Sequence, residues 1–383
     1  MANVLTSLAA DIYKAADMVG RELVGFIPSV TINGDAVTRA AKGDIIRSHF
    51  TRTPTVNTSF APAMTIPEGT DQTVDNKTLT VNNYASVQIP WTGEDIKHVN
   101  NGSGFESIYG DQIKQAMRAI TNSIETYLWQ VAYQGASRAI GVAGTTPFAA
   151  NHNVMAQTRQ VLADNGCPMD GQVTLVMNTN AGVNMRNLVL LQRANESGTT
   201  ELLRQGTLLD LQNLMIKESA APVAITNGTG AGYLTSCSTA VGVSSVALVT
   251  GTGTVNAGDV VTFAADANNK YVVNAPGIAA PGTITLGAPG ARVVIATGNA
   301  LTVGGSYTPN VAFHKNAIEL AIRAPAMPPG GDMAADQMVV QDPWSGLVFE
   351  VAAYKGYMKA MFEVRCIYDA KAWKPQHIAT LLG

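Results

Sequence analysis

The chain has 383 residues, 46% of them hydrophobic and only 14% charged, with a formal net charge of -3. Such a length holds two or three domains and a sizeable buried core, while the near-neutral balance excludes the basic excess that tight binding to nucleic acid or a membrane surface requires. Three widely separated cysteines, Cys167, Cys237 and Cys366, fit neither a disulfide framework nor a zinc site and are expected reduced in cores.

Residues 4–24 carry Val4, Leu5, Leu8, Ile12, Ala16, Val19 and Leu23 at helical spacing, with Asn3 placed to cap them. A helix at this position must dock on its own core or on a neighbouring chain. From Gly43 to Trp91 the pattern turns to β. The return limb, Thr78–Pro90, alternates Leu79, Val81, Ala85, Val87 and Ile89 against Thr80, Asn82, Ser86 and Gln88. Before it, residues 53–77 carry Pro54, Pro62 and Pro67 and little periodicity, which reads as a functional arm or a floppy loop. Phe60, Met64 and Ile66 suit a loop facing only water poorly, so an arm docking on another subunit is favoured, with these three as anchors.

Phe105–Gly135 is the longest periodic stretch. Ile113, Met117, Ile120, Ile124, Leu128 and Val131 recur at steps of three and four and lay one apolar stripe along a helix. No proline interrupts it, and at a rise of about 1.5 Å per residue it would run roughly 40 Å, a strut between β segments. Helix is expected again at Asn153–Ala163 and Asn180–Gln192, around a buried strand at Gln172–Met177, and Leu208–Glu218 offers a turn and a further strand. This alternation reads as an α/β segment.

Residues 227–309 carry only Asp259, Asp266, Lys270 and Arg292 as charges. Short alternating runs (Val246–Thr250, Asp259–Ala264, Tyr271–Asn274, Thr283–Leu286, Arg292–Ala296) between Gly, Asn and Pro turns predict a small antiparallel barrel or sandwich. The α/β pattern resumes at Val311, so the β module interrupts another unit. Gly346–Ala353 and Lys359–Tyr368 then form two limbs around a hairpin turn placed at Lys355-Gly356, and Trp373–Leu382 closes the chain.

Local chemistry is sparse. The histidines His49, His98, His152, His314 and His377 lie far apart, with no HExxH, GxSxG or cysteine–histidine signature. Gly228–Gly232 lacks the GKS/T ending of a phosphate loop and opens a strand-rich module, so it reads as a turn. No two acidic residues fall on one face as an acid/base pair. An enzyme is therefore not expected, nor a cofactor or metal. Low charge and abundant small residues suit a surface covered by other protein, although a quiet β-rich surface fits the composition equally well.

The order of elements, with the phrases IPWTGEDIKH before the long helix, GTLLDLQNLMIKES leading to the β module, NVAFHKNAIELAIRAPAMPPGG leaving it and LVFEVAAYKGYMKAMFEVRCIYDAKAW near the end, resembles the tailed-phage major capsid proteins of the Hong Kong 97 (HK-97) fold. In detail it is similar to the phage P-22 coat-protein family, which carries an inserted β-barrel. The resemblance implies an α+β fold with residues 1–42 as N-arm and 43–90 as E-loop. Residues 91–147 and 336–383 would form the P-domain with spine helix 105–135, residues 148–226 and 310–335 the A-domain, and residues 227–309 the inserted β domain. It implies a coat protein that assembles as pentamers and hexamers into an icosahedral shell around double-stranded DNA. The implied partners are the chain itself, a separately supplied scaffolding protein and a portal protein, with a decoration protein left open and DNA contacted non-specifically.

The first residues lack the features of a signal peptide and no apolar run reaches about 18 residues, so the expected location is the virion, assembled in the cytoplasm, with no membrane partner. Two rivals stay open at this point. An encapsulin-type cellular nanocompartment shares the fold but usually lacks the insertion, and a β-rich surface protein would want a secretion signal.

Overall fold

The computed structural model describes residues 6–51, 56, 58, 62, 64–66, 74–100, 105–193, 208, 210–274 and 282–383. It opens on helix α1 (Thr6–Glu22), a 3-10 turn at Ile27–Ser29 and strand β1 (Thr31–Ala40). Strands β2 (Ile45–Thr51), β3 (Val74–Thr80) and β4 (Asn83–Thr92) lead to a short helix α2 (Gly93–Asn100) and the long α3 (Phe105–Gln134). Next come β5 (Arg138–Ile140), α4 (Asn153–Asp164), β6 (Val173–Met177), α5 (Thr179–Arg186), α6 (Val189–Gln192) and β7 (Met215–Glu218). The Gly- and Thr-rich stretch supplies β8 (Tyr233–Thr235), β9 (Ser245–Val249), β10 (Val260–Phe263), β11 (Asp266–Val272), β12 (Gly282–Thr285) and β13 (Ala300–Val303). Six strands close the chain: β14 (Pro309–His314), β15 (Ile318–Pro325), β16 (Asp336–Gln341), β17 (Val348–Gly356), β18 (Lys359–Ala372) and β19 (Ile378–Leu382).

This is a mixed α+β fold. One sheet runs β1-β15-β18-β17-β16 with β4 also paired to β18, and a second runs β12-β9-β8-β13-β10-β11-β5-β19-β14-β6-β7. The helix α3 packs on strands of both sheets, touching β4 and β18 on one side and β14 and β19 on the other. Its stripe explains why: Ile113, Met117, Ile120, Ile124 and Leu128 are buried and Val131 is half-buried within one continuous core. Each fully buried aliphatic side chain of this kind contributes roughly 1.5–3 kcal/mol. The strand β6, VTLVM, is buried along its whole length because it lies inside its sheet between β14 and β7.

Two short crossovers between the two sheets run side by side. A 3-10 turn at Lys315–Ala317 joins β14 to β15, and another at Pro375–His377 joins β18 to β19. The amide of Trp373 donates to the carbonyl of Ala317 at 2.8 Å, and the rings of His314 and His377 lie 6.2 Å apart. These crossovers weld the sheets into one body.

Several sequence expectations are corrected here. The return limb Thr78–Pro90 is not one strand: Val81-Asn82 breaks it, β3 pairing with β2 and β4 with β18. The helix expected over Asn180–Gln192 is interrupted at Asn187-Leu188, where Leu188 is extended. Residues Val311–Pro325 form two strands around a 3-10 turn, since their apolar density satisfies a period of two as well as a helical one. The hairpin turn sits at Tyr357-Met358, because Gly356 and Lys359 are the last paired residues and Met358 has φ 53°. Arg292–Ala296 makes only the isolated bridge Thr239↔Ile295, and the strand lies further on at β13. Residues 233–303 gather a core of their own around Tyr233, Phe263 and Tyr271, yet β11 pairs with β5, so their sheet runs on into the rest of the molecule.

Candidate inter-subunit interface

The ribbon formed by β2 and β3 stands apart from the other sheets. It pairs from Ile45↔Thr80 to Thr51↔Val74. Its base is tied to the body. The amide of Gly43 donates to Val81 and that of Val81 to Asp44, at 2.7 and 2.9 Å, and Ala40, Val81 and Ile367 form a small cluster with Ile46 packed on it. The ammonium groups of Lys77 and Lys371 sit 5.2 and 4.7 Å from the Trp373 ring centroid, a cation–π clamp at the foot of the ribbon. Beyond the paired region, Met64 and Ile66 are fully exposed; the third expected anchor, Phe60, lies outside the described residues.

The base of the ribbon connects to the long helix through one carboxylate. Tyr127 Oη on α3 donates to Asp369 Oδ1 at 2.6 Å, and the backbone amide of Asn82 donates to Asp369 Oδ2 at 3.0 Å. A second carboxylate holds the N-terminal segment. Glu125 on α3 accepts from the amides of Phe26 and Ile27, at 2.6 and 2.9 Å, and from Ser219 Oγ at 2.8 Å. That close approach requires Gly25, where a Cβ would fall 1.8 Å from Glu125 Oε1. Arg118 grips Glu22 with two guanidinium bonds, and Phe26 stacks on Phe313 with centroids 5.9 Å apart. The helix thus ties the N-terminal segment and the foot of the ribbon to the core it packs on.

A third set of contacts lies on the six-stranded sheet. Glu350 is fully buried and accepts from Arg39 at 2.6 Å and Arg365 at 2.9 Å; Arg365 also reaches Asp332 at 2.7 Å. This network fastens the end of β1 and the loop before β16 to the sheet.

Sequence reading missed four further exposed side chains. Met333, Trp344, Tyr357 and Met358 stand out of loops, with Tyr357 at 93% exposure. Asp342 builds the turn that projects Trp344, accepting from the amides of Trp344 and Ser345 at 3.2 and 2.9 Å. Placing the turn at Lys355-Gly356 hid the signal, a two-residue loop of Tyr and Met where Gly, Asn or Asp is usual.

Among the described residues no group of three or more His, Cys, Asp or Glu side chains is arranged to hold a metal ion. Burial pushes the Cys167 thiol up to about 11 and that of Cys366 up to about 12, so neither is a thiolate near neutrality. Cys237, expected in a core, is exposed instead. No helix of the described residues is long and apolar enough to cross a membrane.

No family model and no curated protein matches the chain. Solved structures do. A chain from the capsid of cyanophage P-SCSP1u is 11% identical with a TM-score of 0.50, covering 94% of this chain and 88% of that one. A chain of Mycobacterium phage Che8 is 13% identical with a TM-score of 0.49, covering 94% and 91%. A virus-like particle from Pyrococcus furiosus gives 8% and 0.41, covering 97% of each.

Proposed function

We propose that this chain, which has the Hong Kong 97 capsid fold, is the major coat protein of a tailed double-stranded DNA bacteriophage, assembling as pentamers and hexamers into an icosahedral shell around the packaged genome. The observation that carries this reading is the two-stranded ribbon, anchored at its base and ending in exposed Met64 and Ile66. A two-stranded ribbon is marginal in water on its own. Laid across a neighbouring copy it gains the burial it lacks.

A shell subunit needs several heterologous contacts that close into rings, and each can be weak because many act together. In this reading residues 1–42 serve as N-arm, 43–90 as E-loop, 91–147 with 336–383 as P-domain, 148–226 with 310–335 as A-domain and 227–309 as an inserted β domain. Partners are other copies, a scaffolding protein, a portal protein and, where the shell requires one, a decoration protein. Packaged DNA is confined more than bound, since a chain of net charge -3 neutralises few phosphates. The protein works without cofactor and without catalysis, in the virion, after assembly in the host cytoplasm.

The test compares the full chain with one lacking residues 56–72. Removing them leaves residues 52–55 and 73 to join the paired ends Thr51 and Val74, a five-residue loop within the ordinary hairpin range. The full chain is expected to sediment as closed particles, and the shortened one to fold and stay unassembled. Closed particles from the shortened chain would refute the arm; DNA-free shells loaded with a cargo enzyme would favour a cellular nanocompartment.

A further inference from the structure

A cavity of about 570 Å³ opens where β11 pairs with β5, under the helix α4. Three cations line it, Arg138 on β5, Lys270 on β11 and Arg292 on the loop after β12, and among the described residues its one lining carboxylate is Asp164. Three positive charges against one negative leave a surplus of two. The neutral lining is also rich in donors, with Gln157 and Gln160 on α4 beside Asn268 and Asn269.

Arg138 is the centre of the arrangement and is only 5% exposed. One Nη donates to Asn269 Oδ1 at 2.9 Å. The other is divided between the Val161 carbonyl at 3.3 Å, Asn165 Oδ1 at 3.3 Å and Asp164 Oδ2 at 3.5 Å, all long for a charged donor. Its Nε has no partner among the described residues. Burial first, and the charge of Arg292 second, hold this guanidinium below its ordinary value, while Asp164 works the other way. A second carboxylate, Asp266, is engaged behind the cavity by Asn269 and Tyr271. Lys270 donates to the Gly141 carbonyl, and the Arg292 backbone is fixed by the hydrogen bond its amide donates to Tyr271 Oη at 2.9 Å. One buried guanidinium, flanked by two half-buried cations and short of counter-charge in a donor-lined cavity, has the chemistry of an anion site.

We infer that this cavity binds a phosphate-class oxyanion, held between Arg138, Lys270 and Arg292. The anion bridges strands β5 and β11 to the loop at Arg292, so it fastens the Gly- and Thr-rich segment to the body of the molecule. The inference is independent of the shell, since a subunit that does not assemble presents the same cavity. Its phosphate comes either from inorganic phosphate in solution or from a nucleic-acid backbone.

The full chain is titrated by calorimetry with inorganic phosphate and, separately, with a short DNA duplex, at constant ionic strength in chloride. Arg292→Gln and Arg292→Lys are run beside it, with thermal unfolding in phosphate-free buffer to establish that both fold. Saturable phosphate binding is expected, weakened at least tenfold by Arg292→Gln and less by Arg292→Lys, with a Tm that rises as phosphate is added. Duplex binding that shows the same Arg292 dependence assigns the source to nucleic acid; phosphate binding alone assigns it to the free ion. No saturable heat from either ligand, or binding that Arg292→Gln leaves unchanged, overturns the site.

Discussion

Glu350 is the most consequential single residue outside the apolar core. It faces Arg365 directly across the β17–β18 ladder and takes Arg39 from the end of β1 on its other oxygen. Removing Glu350 takes the shared buried acceptor from two guanidinium groups, but Arg365 keeps Asp332 and Arg39 keeps the Pro325 carbonyl, so Glu350→Ala is expected to cost about 1–3 kcal/mol in urea unfolding of the unassembled subunit. A loss below about 1 kcal/mol would mean that the network behaves as an exposed salt bridge does. None of this was legible in LVFEVAAY, where Glu350 is a lone charge in an apolar run. Its burial is created by β1 and by Asp332, distant segments whose arrival no local pattern announces. The spine stripe is the opposite case. Ile113, Met117, Ile120, Ile124 and Leu128 are buried as a period of 3.6 requires, because a helix fixes its own faces before any partner is known.

At the scale of elements, the paired crossovers between the sheets carry a pH prediction. His377 is buried, its Nδ1 lacks a partner among the described residues, and burial, then Lys374, then His314 lower its pKa to about 4. Facing it are His314, bonded to Asp170 at 3.2 Å, and Lys374. An unfolded chain takes up this proton as the pH falls through 6.5, whereas the native state resists it until about 4. Stability is therefore lost progressively on acidification across that window. In unfolding measured against pH, His377→Gln is expected to flatten the slope between about 6.5 and 4. An unchanged slope would show that His377 does not set it. Strands and helices with one strong period were readable from sequence. The crossovers were not, nor was β1, because TINGDAVTRA has no alternation and is strand only through its parallel pairing with β15.

At the scale of the molecule, the composition break at Asn227 marked a real change, the onset of a segment with its own core. What composition could not convey is that β11 would hydrogen-bond to β5 and run that segment into an eleven-stranded sheet. The ribbon is the complementary case, a long apolar-tipped excursion that makes little sense for a solitary subunit. In the proposed reading, both surfaces are completed by further copies of the chain. Electron microscopy of the purified full-length protein, produced with and without its neighbouring genes, tests this most directly. Closed shells built from five- and six-membered rings are expected, and a discrete soluble monomer under every condition would contradict it.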